Sequence, residues 1–489
     1  GLGDVYKRQG AVMRRQVMIR QGCVDGFSDA DPVITVFRGI PYAKPPVDEL
    51  RWREPQPAEA WDGVLEAGDF APMPMQPLPG SDEFYGREWQ IDADTPMAED
   101  CLYLNIWTPA LRGCGSGSEI RTDSRCDGHG LPVMVWLYGG AFQTGSTCEK
   151  EFNGEQLARQ GVVVVSIAYR LNVFGFFAHA MLEKEAVDGR PCANFGFLDQ
   201  RMGIQWVKDN IALFGGDPAN ITVFGQSAGA ASALAQSVSP MNDGLFQRVI
   251  MQSGGGTGLF NRHLWSLEDA QRNGARFLKY LEVESIAEAR SVPATDLLEA
   301  AVTFPACDWS GQGDDVVWAP MTNWIPCVDG TFLVEQYRDA LIAGHRVPCD
   351  LLVGNTTGEF MVPGPDGTPY PEGECGNLDM IDAWVSGGGS EPYRYRFDVD
   401  MPGDDAGAFH SSDLWFSFGT LPASWRPFRG WHYDLSHAMN RYWVNFAATG
   451  DPNGSGLPEW TACGPDGQRY MLFGGCHDTP GNVSCVMVK

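Results

Sequence analysis

The most regular pattern along the chain is a series of nearly continuous apolar runs bounded by glycine or polar residues. The runs are PVMVWLYGG (132–140), GVVVVSIAYR (161–170), NITVFGQS (220–227), RVIMQSGG (248–255) and DLLVGN (350–355). Apolar runs that do not alternate with polar residues are typical of strands buried on both faces of a sheet. We therefore predict that these runs form the core strands of a mostly parallel sheet.

Helical periodicity fills the segments between these runs. Residues 198–216 carry apolar side chains at helical spacing, and the small residues of 228–238 follow the third run directly. Two amphipathic segments, LEDAQRNGARFLKYL and ATDLLEAAV, lie within residues 260–345. Alternating strands and helices predict an α/β fold with a central sheet flanked by helices. We expect one domain over residues 13–489, with residues 260–345 as a cap-like helical insertion.

Composition and charge narrow the range of partners. The hydrophobic fraction of 44% and the charged fraction of 20% describe a globular protein. The net charge of −27 repels phosphate backbones and anionic membrane surfaces, so no nucleic-acid partner is expected. No apolar run is long enough to predict a membrane span. The 13 cysteines form no pair or cluster at metal-binding spacing, so no metal is expected.

Two segments stand outside the predicted fold. GLGDVYKRQ at the start resembles translated adaptor sequence, and residues 1–12 are predicted to be non-native or disordered. No secretory signal is visible in this region. Residues 110–130 are rich in glycine, serine and charge, and are predicted to form an exposed loop. Scattered cysteines are usual in reducing compartments, so a cytoplasmic location is expected.

The stretch VFGQSAGAAS (223–232) places Ser227 between a buried strand and a helix of small residues. A G-x-S-x-G motif needs this strand, turn and helix context to form a nucleophile elbow, in which the serine is exposed on a sharp turn. The N-terminus of the following helix would also stabilise a nearby anion. Ser227 is therefore a candidate nucleophile, and a serine that only caps the helix is the alternative.

A serine hydroxyl needs a base and an acid that holds this base, because it attacks poorly by itself. Ligands of open α/β sheets bind beyond the carboxyl ends of the strands. Asp350 precedes its strand, whereas Glu359 follows it, so Glu359 is the predicted acid. His410 lies in a polar loop before an aromatic segment and is the predicted base, with a solvated loop histidine as the alternative. The other histidines after Glu359 are predicted to pack in a helix or lie in the tail: His432, His437 and His477.

The turn LYGGAF (137–142) directly follows a predicted core strand. Backbone N–H groups of such a turn can stabilise an oxyanion. A double glycine alone occurs in many loops, but beside Ser227 it predicts an oxyanion hole. The predicted donors are the N–H groups of Gly140, Ala141 and Ala228.

Several longer motifs stand out along the chain. They are FGGDPANITVFGQSAGAAS (214–232), EDCLYLNIWTP (99–109), FRGIPYAKPP (37–46), AYRLNVFGF (168–176), NFGFLDQRMGIQWV (194–207), MQSG (251–254) and HSSDLWFSFG (410–419). Together they resemble the type-B carboxylesterase/lipase family, which has the α/β-hydrolase fold, and within it the para-nitrobenzyl esterase-like bacterial carboxylesterases. The similarity extends over roughly residues 15–480.

The resemblance implies a serine ester hydrolase that works through an acyl-enzyme, with no cofactor. Ser227, Glu359 and His410 match the family's catalytic triad, and Ser253 matches a serine that supports the acid. The implied substrates are small to medium uncharged esters, and the implied state is a monomer or homodimer. A specialised detoxifying esterase, a thioesterase and an amidase of the same fold stay open, as does a non-catalytic binding homologue.

Three positions depart from the family pattern. Ala141 replaces a glycine of many members, and its methyl group could crowd bulky substrates. Gln226 replaces a glutamate of cholinesterases, which disfavours choline esters. Cys101 lacks its family partner and is expected to be a free thiol.

The predicted pocket residues, for which core packing is the alternative, are Gln226, Trp318, Trp324, Trp415 and Phe416, with Trp309 nearby.

Overall fold

The computed structural model describes most of the chain. The described residues are 14–28, 31–78, 80, 83–92, 94–111, 130–186, 193–254, 256–259, 263–305, 323–363, 369–464, 466–475 and 485–488. The predictions for residues 1–12, for most of the loop 110–130, and for Trp309 and Trp318 therefore lie outside the described residues.

A large mostly parallel sheet organises the described part of the chain. Its strands run in the order β1-β2-β3-β5-β7-β6-β8-β9-β12-β15-β16-β17, and β4 pairs with β2. Two short ladders, β10 with β11 and β13 with β14, lie outside it. The strands are β1 (Arg14–Met18), β2 (Cys23–Phe27), β3 (Thr35–Pro41), β4 (Val64–Glu66), β5 (Tyr103–Thr108), β6 (Leu131–Leu137), β7 (Val163–Ile167), β8 (Gly216–Gln226), β9 (Arg248–Gln252), β10 (Trp265–Ser266), β11 (Cys327–Val328), β12 (Asp350–Thr356), β13 (Met361–Pro363), β14 (Pro369–Pro371), β15 (Tyr393–Asp398), β16 (Tyr470–Gly474) and β17 (Cys485–Val488).

Helices cover both faces of this sheet. The described helices are α1 (Phe84–Glu88), α2 (Glu155–Arg159), α3 (Asn172–Phe176), α4 (Ala180–Glu183), α5 (Phe195–Asn210), α6 (Ala228–Val238), α7 (Leu267–Tyr280), α8 (Ile286–Ser291), α9 (Ala294–Thr303), α10 (Tyr337–Ile342), α11 (Glu372–Ser386), α12 (Leu414–Ser417) and α13 (Gly430–Thr449). The helix predicted over 198–216 starts earlier, at Phe195, and ends at Asn210. A 3₁₀ turn, Ile211–Phe214, and Gly215 at φ 83° then lead into β8.

The apolar runs of the central strands supply two cores, one on each face. In β6, Val133, Val135 and Leu137 join one hydrophobic cluster, whereas Met134 and Trp136 join the other. Successive side chains of a strand point to opposite faces, so a continuous apolar run fills both cores at once. Helices α5, α6 and α11 cover the first face, and α2, α12 and α13 cover the second.

The order of parallel strands brings the predicted site residues to one edge. β6 pairs with β8, β8 with β9, β9 with β12, and β12 with β15, all parallel. The segments that follow β6, β8, β9 and β12 therefore meet at the carboxyl edge of the sheet. These segments carry the glycine-rich turn, Ser227, Ser253 and Glu359.

The predicted cap-like segment 260–345 contributes α7 to α10 in its described part. Arg51 attaches this segment to the N-terminal region: its Nη1 donates to the carbonyl oxygens of Ala289, Arg290 and Val292 at 3.1, 3.0 and 2.7 Å. The same guanidinium pairs with Glu99 at 2.6 and 2.7 Å. These bonds fix α8, and with it the start of α9, which lies over the site. The boundaries of the domain and of the insertion stay a prediction.

Candidate active site

Ser227 stands on a strained turn between β8 and α6. Its backbone has φ 56° and ψ −123°, a region that residues with a side chain avoid. Ser227 N donates to Gln252 O on β9 at 2.8 Å, which ties the turn to the neighbouring strand. Ser227 occupies the N-cap position of α6, but its side chain makes no capping hydrogen bond. The alternative of a serine that serves only as a helix cap is therefore not supported.

The two glycines of the motif are required by close backbone packing. A Cβ built on Gly225 would lie 2.7 Å from Leu137 O, and one on Gly229 would lie 2.7 Å from Tyr138 O. Contacts below 3.0 Å are essentially never seen for real Cβ atoms. Strand β6, strand β8 and helix α6 can therefore approach each other around Ser227 only where side chains are absent.

His410 and Glu359 form a buried pair beside this turn. His410 Nδ1 donates to Glu359 Oε2, and both residues have 7% of their surface exposed. Thr356 N donates to Glu359 Oε1 at 3.1 Å. Gly358 brings the two loops together, because its N–H donates to Ala408 O at 2.9 Å and a Cβ there would lie 2.6 Å from that oxygen.

Electrostatics keep the Glu359 carboxyl ionised. Burial alone would raise its pKa, but the charge and the hydrogen bond of His410, the Ser253 side chain and the Thr356 N–H together lower the pKa below its usual value. Ser253 follows β9 with φ 54°, and its N–H donates to Gly354 O at 2.8 Å. Ser253 therefore lies near the Glu359 carboxyl, and its supporting role stays a prediction.

Ser227 and His410 open into a cavity of about 350 Å³. The described residues that line it are Pro77, Glu83, Tyr85, Trp89, Gly140, Ala141, Gln143, Thr144, Asn172, Ser227, Leu298, Ala301, Val302, Trp324, Phe360 and His410. A volume of this size is at the lower end of the range for small-molecule sites. The candidate nucleophile and base thus face a space that accepts a small substrate.

The glycine-rich turn after β6 lies on the wall of this cavity. Gly140 and Ala141 have φ values of 102° and 55°, and the N–H groups of Gln143 and Thr144 donate to Gly140 O at 2.9 and 3.0 Å. Among the described residues, no hydrogen bond engages the N–H of Gly140, Ala141 or Ala228. These three donors, one of them at the N-terminus of α6, are therefore available to a ligand atom beside Ser227.

The predicted pocket residues have different positions. Trp324 lines the cavity and is 2% exposed. Trp415 and Phe416 belong to the core cluster on the other face of the sheet, and the Phe416 ring centroid lies 5.0 Å from that of Phe397. Gln226 Nε2 lies 3.0 Å from His410 Nε2, at the base rather than on the cavity wall.

Sequence reasoning missed several aromatic side chains of the cavity. Tyr85 and Trp89 stack with ring centroids 4.3 Å apart, at 24° between their planes, and the Phe360 ring lies 4.7 Å from that of His410. The position of Phe360 directly after Glu359 was a signal that could have found it. Tyr85 and Trp89 belong to none of the motifs, and only the tertiary fold brings them to the site.

The described part of the chain offers no metal site and no spanning helix. No group of three or more His, Cys, Asp or Glu side chains there could hold a metal ion. Its helices also lack the length and apolar character needed to cross a membrane. The site combines a candidate nucleophile, a candidate base, a candidate acid and free backbone donors, which is the set needed for acyl transfer.

Comparisons with known proteins agree with this geometry. A model described as "Carboxylesterase family" matches residues 13–370 and 372–479. The para-nitrobenzyl esterase of Bacillus subtilis (strain 168) is 33% identical over 94% of this chain and 95% of its own. A solved PNB esterase superposes with a TM-score of 0.79 at 27% identity, and the Geobacillus stearothermophilus carboxylesterase with 0.74 at 32%, each over 97% of both chains. The predicted fold of α/β-hydrolase type is confirmed.

Proposed function

The chain belongs to the carboxylesterase family and is a serine ester hydrolase, and we propose that Ser227, His410 and Glu359 form its catalytic triad. One observation carries the proposal. Ser227, on its strained turn, and His410 line the same cavity, and His410 is hydrogen-bonded to the ionised Glu359. Strained backbone at a cavity is typical of functional residues.

The proposed mechanism starts with attack of Ser227 Oγ on the ester carbonyl carbon. His410 Nε2 takes the serine proton, while Glu359 holds the opposite side of the ring and stabilises the imidazolium. The carbonyl oxygen becomes an oxyanion that accepts hydrogen bonds from Gly140, Ala141 and Ala228. When the intermediate collapses, the bond to the alcohol oxygen breaks and His410 gives that oxygen its proton.

The second half of the reaction releases the acid. Water attacks the carbonyl carbon of the acyl-enzyme, and His410 takes one of the water protons. The second tetrahedral intermediate then collapses, the bond to Ser227 Oγ breaks, and the proton returns from His410 to Ser227. The products are one alcohol and one carboxylic acid, and the enzyme is unchanged.

The cavity walls suggest how the substrate is oriented. The leaving alcohol departs beside His410, where Tyr85, Trp89 and Phe360 form an aromatic wall. The acyl part then faces Trp324 and the apolar residues of α9. Glu83 is the only acidic residue among the described residues of the lining, and the net charge is −27, so anionic esters are disfavoured. We propose small to medium uncharged esters as substrates.

Stopped-flow kinetics with p-nitrophenyl acetate and butyrate test the proposal. Wild type should release one p-nitrophenol per enzyme in a burst, and Ser227→Ala should lose the burst and about 10⁴-fold or more of kcat. Ser291→Ala, which removes an exposed serine hydroxyl, is the matched control and should behave as wild type. Retention of the burst in a folded Ser227→Ala protein would refute the assignment.

Substrate class is tested by kcat/KM on matched compounds. An uncharged p-nitrophenyl ester should react at least about tenfold faster than the analogue with a carboxylate at the end of its acyl chain, because that charge has no described cationic partner in the cavity. A matched thioester and anilide separate an esterase from a thioesterase or an amidase. Faster turnover of either would overturn the ester preference.

The proposal also includes a monomeric or homodimeric enzyme in the cytoplasm. Cys101 is a free thiol, 1% exposed, and burial raises its pKa. A buried protonated thiol reacts poorly and suits a reducing compartment.

A further inference from the structure

Gln226, the residue before the nucleophile, makes a direct contact with the base. Its side-chain Nε2 lies 3.0 Å from His410 Nε2, the nitrogen that exchanges protons with Ser227 in the proposed mechanism. Gln226 is 3% exposed, so its amide is held in a fixed environment rather than in solvent. This contact has no part in the proposed proton transfers.

The protons of the His410 ring follow from its two neighbours. Glu359 is ionised and can only accept a hydrogen bond, so Nδ1 of His410 carries a proton. In the neutral ring Nε2 then has a lone pair, which accepts the amide N–H of Gln226. In the imidazolium Nε2 also carries a proton, and two N–H groups would face each other. The contact therefore favours the neutral, proton-accepting form of His410.

The other ionisable groups around His410 act in the opposite direction. Glu359 contacts Nδ1, Asp413 interacts with the ring through its charge, and Glu83 lies on the cavity wall. Each carboxylate favours a positive ring by Coulomb attraction. The Tyr85 hydroxyl donates to the backbone oxygen of His410 at 3.4 Å and is uncharged. Gln226 is thus a neutral donor placed among groups that promote protonation of the base.

The side-chain amide of Gln226 fits beside Gly139 because glycine has no side chain. A Cβ built on Gly139 would lie 2.8 Å from Gln226 Oε1 and 3.1 Å from Ser227 Cβ. The amide is therefore enclosed between the turn after β6 and the His410 ring.

We infer that Gln226 is a positioning residue for the general base, which holds Nε2 of His410 free of a proton in the resting enzyme and so extends activity to lower pH. No bond forms or breaks at Gln226. The inference rests on the proposed function, since it requires His410 to be the base. It differs from the predicted role of Gln226 in the substrate pocket, which would change KM rather than the pH profile.

The test is the pH dependence of kcat/KM for p-nitrophenyl butyrate between about pH 5 and about pH 9, because the acid limb reports the base in the free enzyme. Gln226→Met keeps the side-chain length but removes the donor, and Gln226→Glu replaces it with a carboxylate. The midpoint of the acid limb should rise by about half a pH unit in the methionine variant and by about one to two units in the glutamate variant. KM should stay within about twofold.

Gln56→Glu adds the same charge at an exposed position and should leave the limb unchanged. The inference would be overturned if wild type and both Gln226 variants had the same acid limb while each variant unfolded cooperatively. It would also be overturned if a variant changed KM but left the acid limb where it is in wild type. If the glutamate variant does not fold, the methionine variant decides alone. Persistence of the burst in Ser227→Ala would instead refute the proposed function, so the two failures are distinguishable.

Discussion

Replacing Gly229 by alanine is expected to displace the backbone that joins the two halves of the active site. A Cβ at this position, the second residue of α6, would lie 2.7 Å from Tyr138 O and closer still to Leu137 O. Ordinary van der Waals contact begins at 3.4 Å. Both oxygens belong to the backbone, so no side-chain rotation relieves the clash. The end of β6 must move away from α6 by about 1 Å, and the turn 139–142 moves with it.

The size of the effect follows from this displacement. Overpacking in a close-packed interior costs about 1–3 kcal/mol, so the melting temperature should fall by several degrees. The N–H groups of Gly140 and Ala141 shift relative to Ser227, and a misplacement of about 1 Å lowers the rate by about 10²-fold. KM should change less than kcat, because the walls supplied by α9 are not touched.

Kinetics with p-nitrophenyl butyrate, referred to active sites counted from the burst, measure this loss, and thermal unfolding measures the stability. Gly68→Ala is the matched control, because a Cβ there meets nothing within 4 Å and its backbone is outside the left-handed region. The reasoning would be refuted if the Gly229→Ala enzyme kept kcat within about threefold of wild type and had the same melting temperature. The close packing of α6 against the end of β6 would then not be what positions the site.

Two further predictions concern buried carboxyl groups. Glu359→Gln should lower kcat by about 10³- to 10⁴-fold with little change in melting temperature, because the amide no longer stabilises the imidazolium; retention of a tenth or more of the wild-type kcat would contradict this role. Burial raises the pKa of Glu149, whose Oε1 accepts Ser146 N at 2.7 Å. A pKa raised on folding means that stability is full below the pKa of the unfolded chain and is lost as pH rises through that of the folded protein. Glu149→Gln, which keeps the acceptor, should therefore be more stable than wild type in urea at about pH 9 and gain less at about pH 5. An equal gain at both pH values would refute this explanation.

The sheet could be predicted, and the residues of the proposed triad could be selected, because their signals in the sequence are local. Continuous apolar runs mark strands buried on both faces, and the small residues around Ser227 mark a turn where backbones touch. Glu359 was found from its position after a strand rather than before it, since parallel strands end at one edge. These inferences needed no knowledge of contacts between distant segments.

The lining of the cavity could not be predicted in this way, because it depends on which face a side chain takes. Trp415 and Phe416 follow His410 closely, yet α12 turns them into the core beside β15. Gln226 precedes the nucleophile, yet its side chain contacts the base. Tyr85 and Trp89 come from a short helical segment whose sequence carries no signal for the site. Side-chain direction at strand ends and in short helices is set by the tertiary packing.

The proposed catalytic groups lie at strand ends, whereas one wall of the cavity is formed by α9. This separation affects how the substrate preference of the enzyme could change. The proposed catalytic groups and donors lie on segments packed backbone to backbone, where even a methyl group does not fit at Gly225 or Gly229. The side of the cavity that we propose for the acyl part is lined by Leu298, Ala301 and Val302, side chains on one helix. New substrate preferences are therefore accessible by single substitutions on that helix without altering the elbow. The range of accepted acids can diversify while the chemistry stays fixed.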